Sequence, residues 1–368
     1  AVVAVLVMCM LPNAGSLGMA VSTAMIFGLI SLMLLDTSIN VAMQPFKMMV
    51  GDMVNEKQKS LAYSIQSFLC NAGSLVGYIF PFVLTGIGIS NIAPEGVIPD
   101  TVIFSFYAGA AILILCVIYT TMKVKEYPPE LYAEYHGIKQ EAKEEKTNVF
   151  KLLVKAPSTF WTVGLVQFFC WAAFMFMWTY TNGSVAFNAF DAPTVQNTVD
   201  GVTRTVLDTT SEQYNAAGNW VGILFAVQAV GSVLWAIVIP MFKNKKLIYS
   251  LSLVLGGIGF ISTKFLADPY LLFISFLLIG CAWAAMLALP FTILTNSLSG
   301  GHMGYLGLFN GTICLPQIVA AVLGGVILKL FTPAGGLAPE INMLVLAGVL
   351  LIVGACCVFV IKEKKAEA

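Results

Sequence analysis

Ten apolar runs, most of them near twenty residues and set apart by short polar or lysine-bearing segments, constrain this chain more than any other feature. A helix needs about 20 apolar residues to cross a hydrocarbon core, and backbone inside that core has to satisfy its own hydrogen bonds. The runs fall at Ala1–Leu11, Leu17–Val50, Leu61–Gly86, Val102–Met122, Phe160–Thr181, Ala217–Met241, Ile248–Leu266, Leu271–Asn296, Tyr305–Leu330 and Ile341–Ile361. They predict an all-α polytopic membrane protein embedded in a lipid bilayer. Composition agrees: 58% of residues are hydrophobic and 10% charged, whereas a soluble domain is nearer a quarter charged.

Several function classes fall away at this point. Net charge is +0 and Arg204 is the only arginine, so no basic groove for nucleic acid is expected. The eight cysteines lie in apolar stretches with no Cys-x-x-Cys pattern and read as small apolar core residues. His136 and His302 fall in loops, away from metal-ligand spacing. Neither cofactor nor metal is expected, and no nucleophile and base stand at a spacing that would suggest an enzyme.

Lysine placement orients the spans. With the Gly51–Lys59 loop in the cytoplasm, sixteen of the nineteen basic residues fall on that side, which is the positive-inside pattern. The C-terminus is then cytoplasmic, and the hydrophilic segment Asn182–Asn215, with Asp191, Asp200, Asp208 and Glu212, is an outer solvated loop. Lys-rich loops without a disulfide framework fit a bacterial inner membrane, although Asn182-Gly183-Ser184 matches a glycan-acceptor triplet. The segment 124–157 reads as a cytoplasmic linker, with a short surface helix after Pro128-Pro129. It separates an N-terminal bundle, 1–123, from a C-terminal bundle, 158–368. Four spans precede it and six follow. Carriers built from two six-helix halves would explain that count if two spans lie upstream of Ala1.

One carboxylate stands inside a span. Asp36 lies in LISLMLLDTSINVAMQPFKMMVGD, and an ionisable group in hydrocarbon costs several kcal/mol at least. Asn40, Gln44 and Lys47 lie about 40°, 80° and 20° from it around a helix. Pro45 is placed to kink that helix. This polar face has to look into a bundle interior or a water-filled cavity, and a lone carboxyl there suits proton uptake and release. The structural alternative is helix glue, a carboxyl bonded to a neighbouring span.

Further amides and indoles recur along the later spans. Gln167, Trp171 and Trp178 lie within about three turns. Asn219 and Gln228 follow on the next span, and Gln66 is on an earlier one. Asn310 and Gln317 are seven apart, hence on one helix face, with Pro316 breaking the backbone between them. Amides beside aromatic faces suit the hydroxyls and ring faces of a sugar.

The polar stripe has a family likeness. LLDTSINVAMQPFKMMVGDMV resembles the fourth helix of the sucrose/proton symporter family, the plant sucrose carriers with their animal and bacterial relatives, within the major facilitator superfamily. The matching positions are Asp36, Asn40, Pro45, Lys47 and Asp52. Ala62, Gly73, Gly77 and Tyr78 in SLAYSIQSFLCNAGSLVGYIFP fit the following helix. Gly307, Phe309, Asn310, Pro316, Gln317 and Ile318 in YLGLFNGTICLPQIVAA are similar to the family's later segment. Lys47 stands where Arg is usual, and Ser60 where plant members carry a basic residue.

The resemblance implies a monomeric major facilitator carrier of two pseudo-symmetric bundles, about ten of its twelve helices present, numbered 3 to 6 and 7 to 12. It implies proton-coupled disaccharide or glucoside symport by alternating access, Asp36 carrying the proton and Asp52 at a cytoplasmic gate. Asn40, Gln44, Lys47, Gln66, Gln167, Trp171, Trp178, Asn219, Gln228, Asn310 and Gln317 are the candidate substrate-cavity residues. The alternatives are a sodium-coupled glycoside carrier of the melibiose type and a non-transporting membrane sensor.

Overall fold

The computed structural model describes residues 1–16, 21–53, 56–94, 97–125, 153–199, 202–297 and 308–361. Two compact units, Ala1–Glu145 and Lys146–Ala368, make up the chain.

The first unit contains α1 (Val2–Met10), a 3-10 turn (Leu11–Ser16), α2 (Val21–Met53), α3 (Glu56–Gly86) and α4 (Asp100–Lys123). Helix α1 packs on α2 and α4, and α3 touches both of those as well. Pro99 precedes α4 with its φ held at −58°, a conformation proline imposes. Asp100 in the first turn and Lys123 in the last complement the helix dipole. Asn13 Nδ2 donates to the Tyr107 hydroxyl at 2.7 Å and so ties the 3-10 turn to α4.

The second unit contains α5 (Ser158–Phe190), a hairpin of β1 (Thr194–Val199) and β2 (Val202–Leu207), α6 (Glu212–Val238), α7 (Lys245–Ser262), α8 (Leu272–Ser297), α9 (Gly311–Phe331) and α10 (Ile341–Cys357). Helix α5 is its hub, packed against α6, α8, α9 and α10. Most of α5 is buried against these helices, while Trp161, Leu165, Trp178 and Phe187 are exposed. Small residues let the helices close up. A Cβ on Gly280 of α8 would run into the Gln228 carbonyl of α6, and one on Gly257 of α7 into the Gly348 carbonyl of α10.

Local chemistry sets the helix ends. Asp191 closes α5 in the left-handed region at φ 51°, a usual helix stop. Ser211 caps α6 by accepting from the Tyr214 N–H, and Asn244 caps α7 by accepting from Leu247. Just before α6, the Thr210 hydroxyl and backbone N–H hold the Asp208 carboxyl below its usual pKa. Lys246 Nζ donates to the Ile361 carbonyl at 2.6 Å and joins the start of α7 to the chain beyond α10.

Among the described residues, eight helices are long and apolar enough to cross a membrane, and Val2–Ala14 and Ala72–Gly86 are shorter apolar helices. The fold is the expected all-α polytopic one, with differences in detail. Helix α5 continues to Phe190, nine residues past the expected end of its span at Thr181. Part of the expected outer loop is a hairpin, Thr194 pairing with Leu207 and Val199 with Val202. Alternating Val and Thr on either side of Asp200-Gly201 is the hairpin signal in the sequence. Helix α9 begins at Gly311 and runs through Pro316 without a break. Proline is tolerated there because it sits in the second turn, close to the end where N–H groups lack helical partners anyway. The glycan-acceptor reading fails for a steric reason: Asn182 lies inside α5 with its Oδ1 buried, out of reach of an enzyme that needs an exposed loop. Cys170 and Cys281 are core residues, but Cys9, Cys70, Cys116, Cys314 and Cys356 are exposed. An apolar stretch in a membrane helix has a lipid face as well as a core face, and the sequence does not separate them. The expected linker helix after Pro128-Pro129 lies outside the described residues.

Candidate functional site

In the first unit the polar stripe is held by one helix. Ser31 is buried on α2, and Ala24, Phe27, Gly28, Leu35, Ser38 and Ala42 are half-buried. This stripe, at helical spacing, is the face α2 turns to its own unit. Asp36 sits about 140° around the helix from Ser31 and is exposed, as is Asn40. Asn40 Nδ2 donates to Asp36 Oδ1 at 3.1 Å and to the Asp36 carbonyl at 2.9 Å. The carboxylate therefore accepts from a donor on its own helix, which leaves further acceptor capacity. Gln66 on α3 is half-buried. The side chains of Gln44, Lys47 and Asp52 lie outside the described residues.

The second unit gathers its polar groups differently. Gln167 and Trp171 are one turn apart on α5, Gln167 fully buried and Trp171 8% exposed. Neither Nε2 nor Oε1 of Gln167, nor Nε1 of Trp171, has a hydrogen-bond partner among the described residues. Buried polar atoms of this kind are uncommon and costly, about 1–3 kcal/mol each when unsatisfied. The two side chains offer an N–H donor pair, a carbonyl acceptor and an indole donor in one small region.

Aromatic rings cover this group on one side. The Trp171 ring lies 6.4 Å from Trp178 and 5.7 Å from Trp283 of α8. Trp283 also meets Trp178 at 5.8 Å and Phe174 at 4.9 Å. The cluster runs from enclosed Trp171 to Trp178, which is 39% exposed, so one edge is open. Trp283 was not among the residues expected. Its signal is faint, a lone indole among the small residues of CAWAA in an apolar run, and only the packing of α8 on α5 brings it to the cluster.

The remaining amides lie on α6 and at and within the start of α9. Asn219 is half-buried and Gln228 is buried on α6. Gln317 is half-buried on α9 and donates to the Ile313 carbonyl at 3.1 Å. Asn310 is exposed at the N-cap of α9 with helical backbone angles, φ −60° and ψ −26°, and its carbonyl accepts from the Cys314 N–H, so it stays in helical register with Gln317. The helix begins one residue after it.

No family model and no curated protein matches the chain. Solved structures do. The chain is 16% identical to a bacterial homolog of the human lysosomal transporter Spinster, in an inward-facing and occupied conformation, covering 100% of this chain and 84% of that one at TM-score 0.60. It is 13% identical to the nucleoside transporter NupG, covering 98% and 84% at TM-score 0.60. A POT family transporter in complex with 5-aminolevulinic acid matches at 13% identity, 97% and 80% coverage and TM-score 0.50. At these identities the likeness is one of fold. The chain shares the all-α polytopic fold of these transporters, and the match defines no family for it.

Proposed function

We propose that this protein is a secondary active transporter that couples proton movement to uptake of a disaccharide or glucoside, of maltose or sucrose type, by alternating access. The observation that carries the reading is the pair Gln167 and Trp171, buried with polar atoms unmatched among the described residues, Trp171 packing against Trp178 and Trp283. A sugar satisfies both halves of that arrangement. Its hydroxyls donate to and accept from the amide, and its C–H face lies on the indoles. The fold shared with transporters supports the same reading.

Asp36 is the proton carrier in this proposal. An exposed carboxyl in a span is not solvated by acyl chains, so its face meets water or protein, and Asn40 orients it from one side. Proton and sugar must each bind one state of the carrier better than the other, or neither shifts the equilibrium. The bundle and linker boundaries 1–123, 124–157 and 158–368, Asp52 as a cytoplasmic gate, a monomeric state, a cytoplasmic C-terminus and a bacterial inner membrane belong to this proposal.

Proteoliposomes with an imposed pH gradient test it. Labelled disaccharide accumulates above its equilibrium level in the wild type, and Asp36→Asn only equilibrates it. Accumulation driven by sodium at fixed pH, with no response to the proton gradient, would replace the proton by sodium.

A further inference from the structure

Glu340 stands one residue before α10, at the end of the second unit that also carries the hairpin. Its carboxyl lies flush on the α5 backbone at Gly183, where a Cβ would overlap both carboxyl oxygens and Cδ. Only glycine leaves room for it. Tyr180, nearly one turn earlier on α5, is within electrostatic reach of Glu340. The Tyr180 ring in turn occupies the space above Gly324 of α9. Four residues thus lock α5, α9 and α10 together at one end. Asn182, whose Oδ1 is buried with no hydrogen-bond partner among the described residues, is adjacent in sequence to the seat, and a small recess lined by Ser184, Thr263, Ile341 and Leu344 opens beside it.

The charges around this corner are engaged elsewhere or exposed. Lys264, just past α7, donates to Asn342 Oδ1 at 3.1 Å. Lys329 is exposed in the last turn of α9. Arg204 lies on β2 beside Thr205, whose hydroxyl donates to the Gly335 carbonyl at 2.8 Å. Among the described residues no cation offsets the burial of Glu340, and burial alone pushes its carboxyl from 4.5 up to about 7.

The geometry points to a proton-binding latch: neutral Glu340 seats on Gly183 and holds the α9–α10 corner against α5, and loss of its proton releases the corner. The sign follows from linkage. The seated carboxyl holds its proton more tightly than the released one, so the latch is fully closed below the released value of 4.5 and weakens as pH rises towards about 7. Within that window the ratio of seated to released forms falls about tenfold per pH unit. The latch does not depend on Asp36 or on the identity of the substrate.

Infrared titration of the purified protein tests it without any transport measurement. A protonated-carboxyl band that disappears with a midpoint near 7 is expected in the wild type, and Glu340→Gln lacks it. Gly183→Ala fills the seat, turns the carboxyl out to water and moves the midpoint towards 4.5. Thermal melting follows the same logic: the wild type loses stability across the window, and Glu340→Gln does not. A wild-type midpoint near 4.5, or a band unchanged in Glu340→Gln, overturns the latch whatever the transport assays give.

Discussion

The two units treat their polar residues in opposite ways. The apolar windows of α2 and α4 are 6% and 11% buried, whereas those of α5 and α8 are each 61% buried. In the first unit the ionisable Asp36 is exposed and takes its hydrogen bond from its own helix. In the second, Gln167 and Trp171 are buried, and their side-chain polar atoms have no hydrogen-bond partner among the described residues. A charged residue is kept where its face is open, and neutral polar groups are kept where the bundle is tight. The difference follows from solvation: burying an unpaired charge costs far more than burying an amide.

The largest effect expected from breaking this contrast is on packing. Gly280→Leu should cost the second unit about 3 kcal/mol or more, because its Cβ has no room against the α6 backbone. Gly77→Leu on α3, with nothing within 4 Å of its Cβ, should change stability by less than about 0.5 kcal/mol. Thermal unfolding and gel-filtration profiles of the two variants in detergent measure this, and equal losses would mean the units are packed alike.

Next in size is the coupling function. Asp36→Asn is expected to bring the accumulation ratio down to equilibrium while leaving counterflow of labelled sugar, which needs no net proton movement. Loss of counterflow as well would make Asp36 a binding or folding residue.

A smaller effect sharpens the other half of the comparison. Gln167→Leu should raise KM for the sugar about tenfold, equivalent to about 1.4 kcal/mol. Its melting temperature should hold or rise, since an unmatched buried amide is exchanged for an apolar group of similar volume. A fall in melting temperature with KM unchanged would show that the amide serves the fold. The smallest change expected is in Ser252→Ala, which removes the acceptor of the Trp235 indole N–H at 2.8 Å and should cost about 1 kcal/mol with transport kinetics unaltered.

Much of the fold was legible in the chain because apolar length is a one-dimensional property. The runs around α4, α6, α8 and α10 lie close to their helices, and capping residues such as Ser211 and Asn244 mark helix starts that hydropathy leaves loose. The hairpin is hard to see in hydropathy because its valine face, Val195 and Val199 opposite Val206 and Val202, is short and interrupted by Asn197 and Arg204, although Asp200-Gly201 is a turn signal in the sequence. At the site, Gln167, Trp171 and Trp178 were legible as an amide and two indoles within about three turns of one another. Trp283 was not, because it belongs to another helix and reads there as one more apolar residue. Glu340 was missed for a related reason: a carboxylate at the start of a helix reads as ordinary dipole compensation, and nothing near it in sequence signals burial.

By itself the sequence determined that the chain crosses a membrane as helices, and that a carboxylate lies within a span. Transfer free energy adds along a segment, so hydropathy and charge suffice for both. Tertiary structure alone decided which polar atoms are left unmatched, that Trp283 completes the cluster on α5, and that Glu340 is seated on Gly183. Those are matters of contact between helices far apart in the chain, and desolvation of a group depends on what those helices place around it.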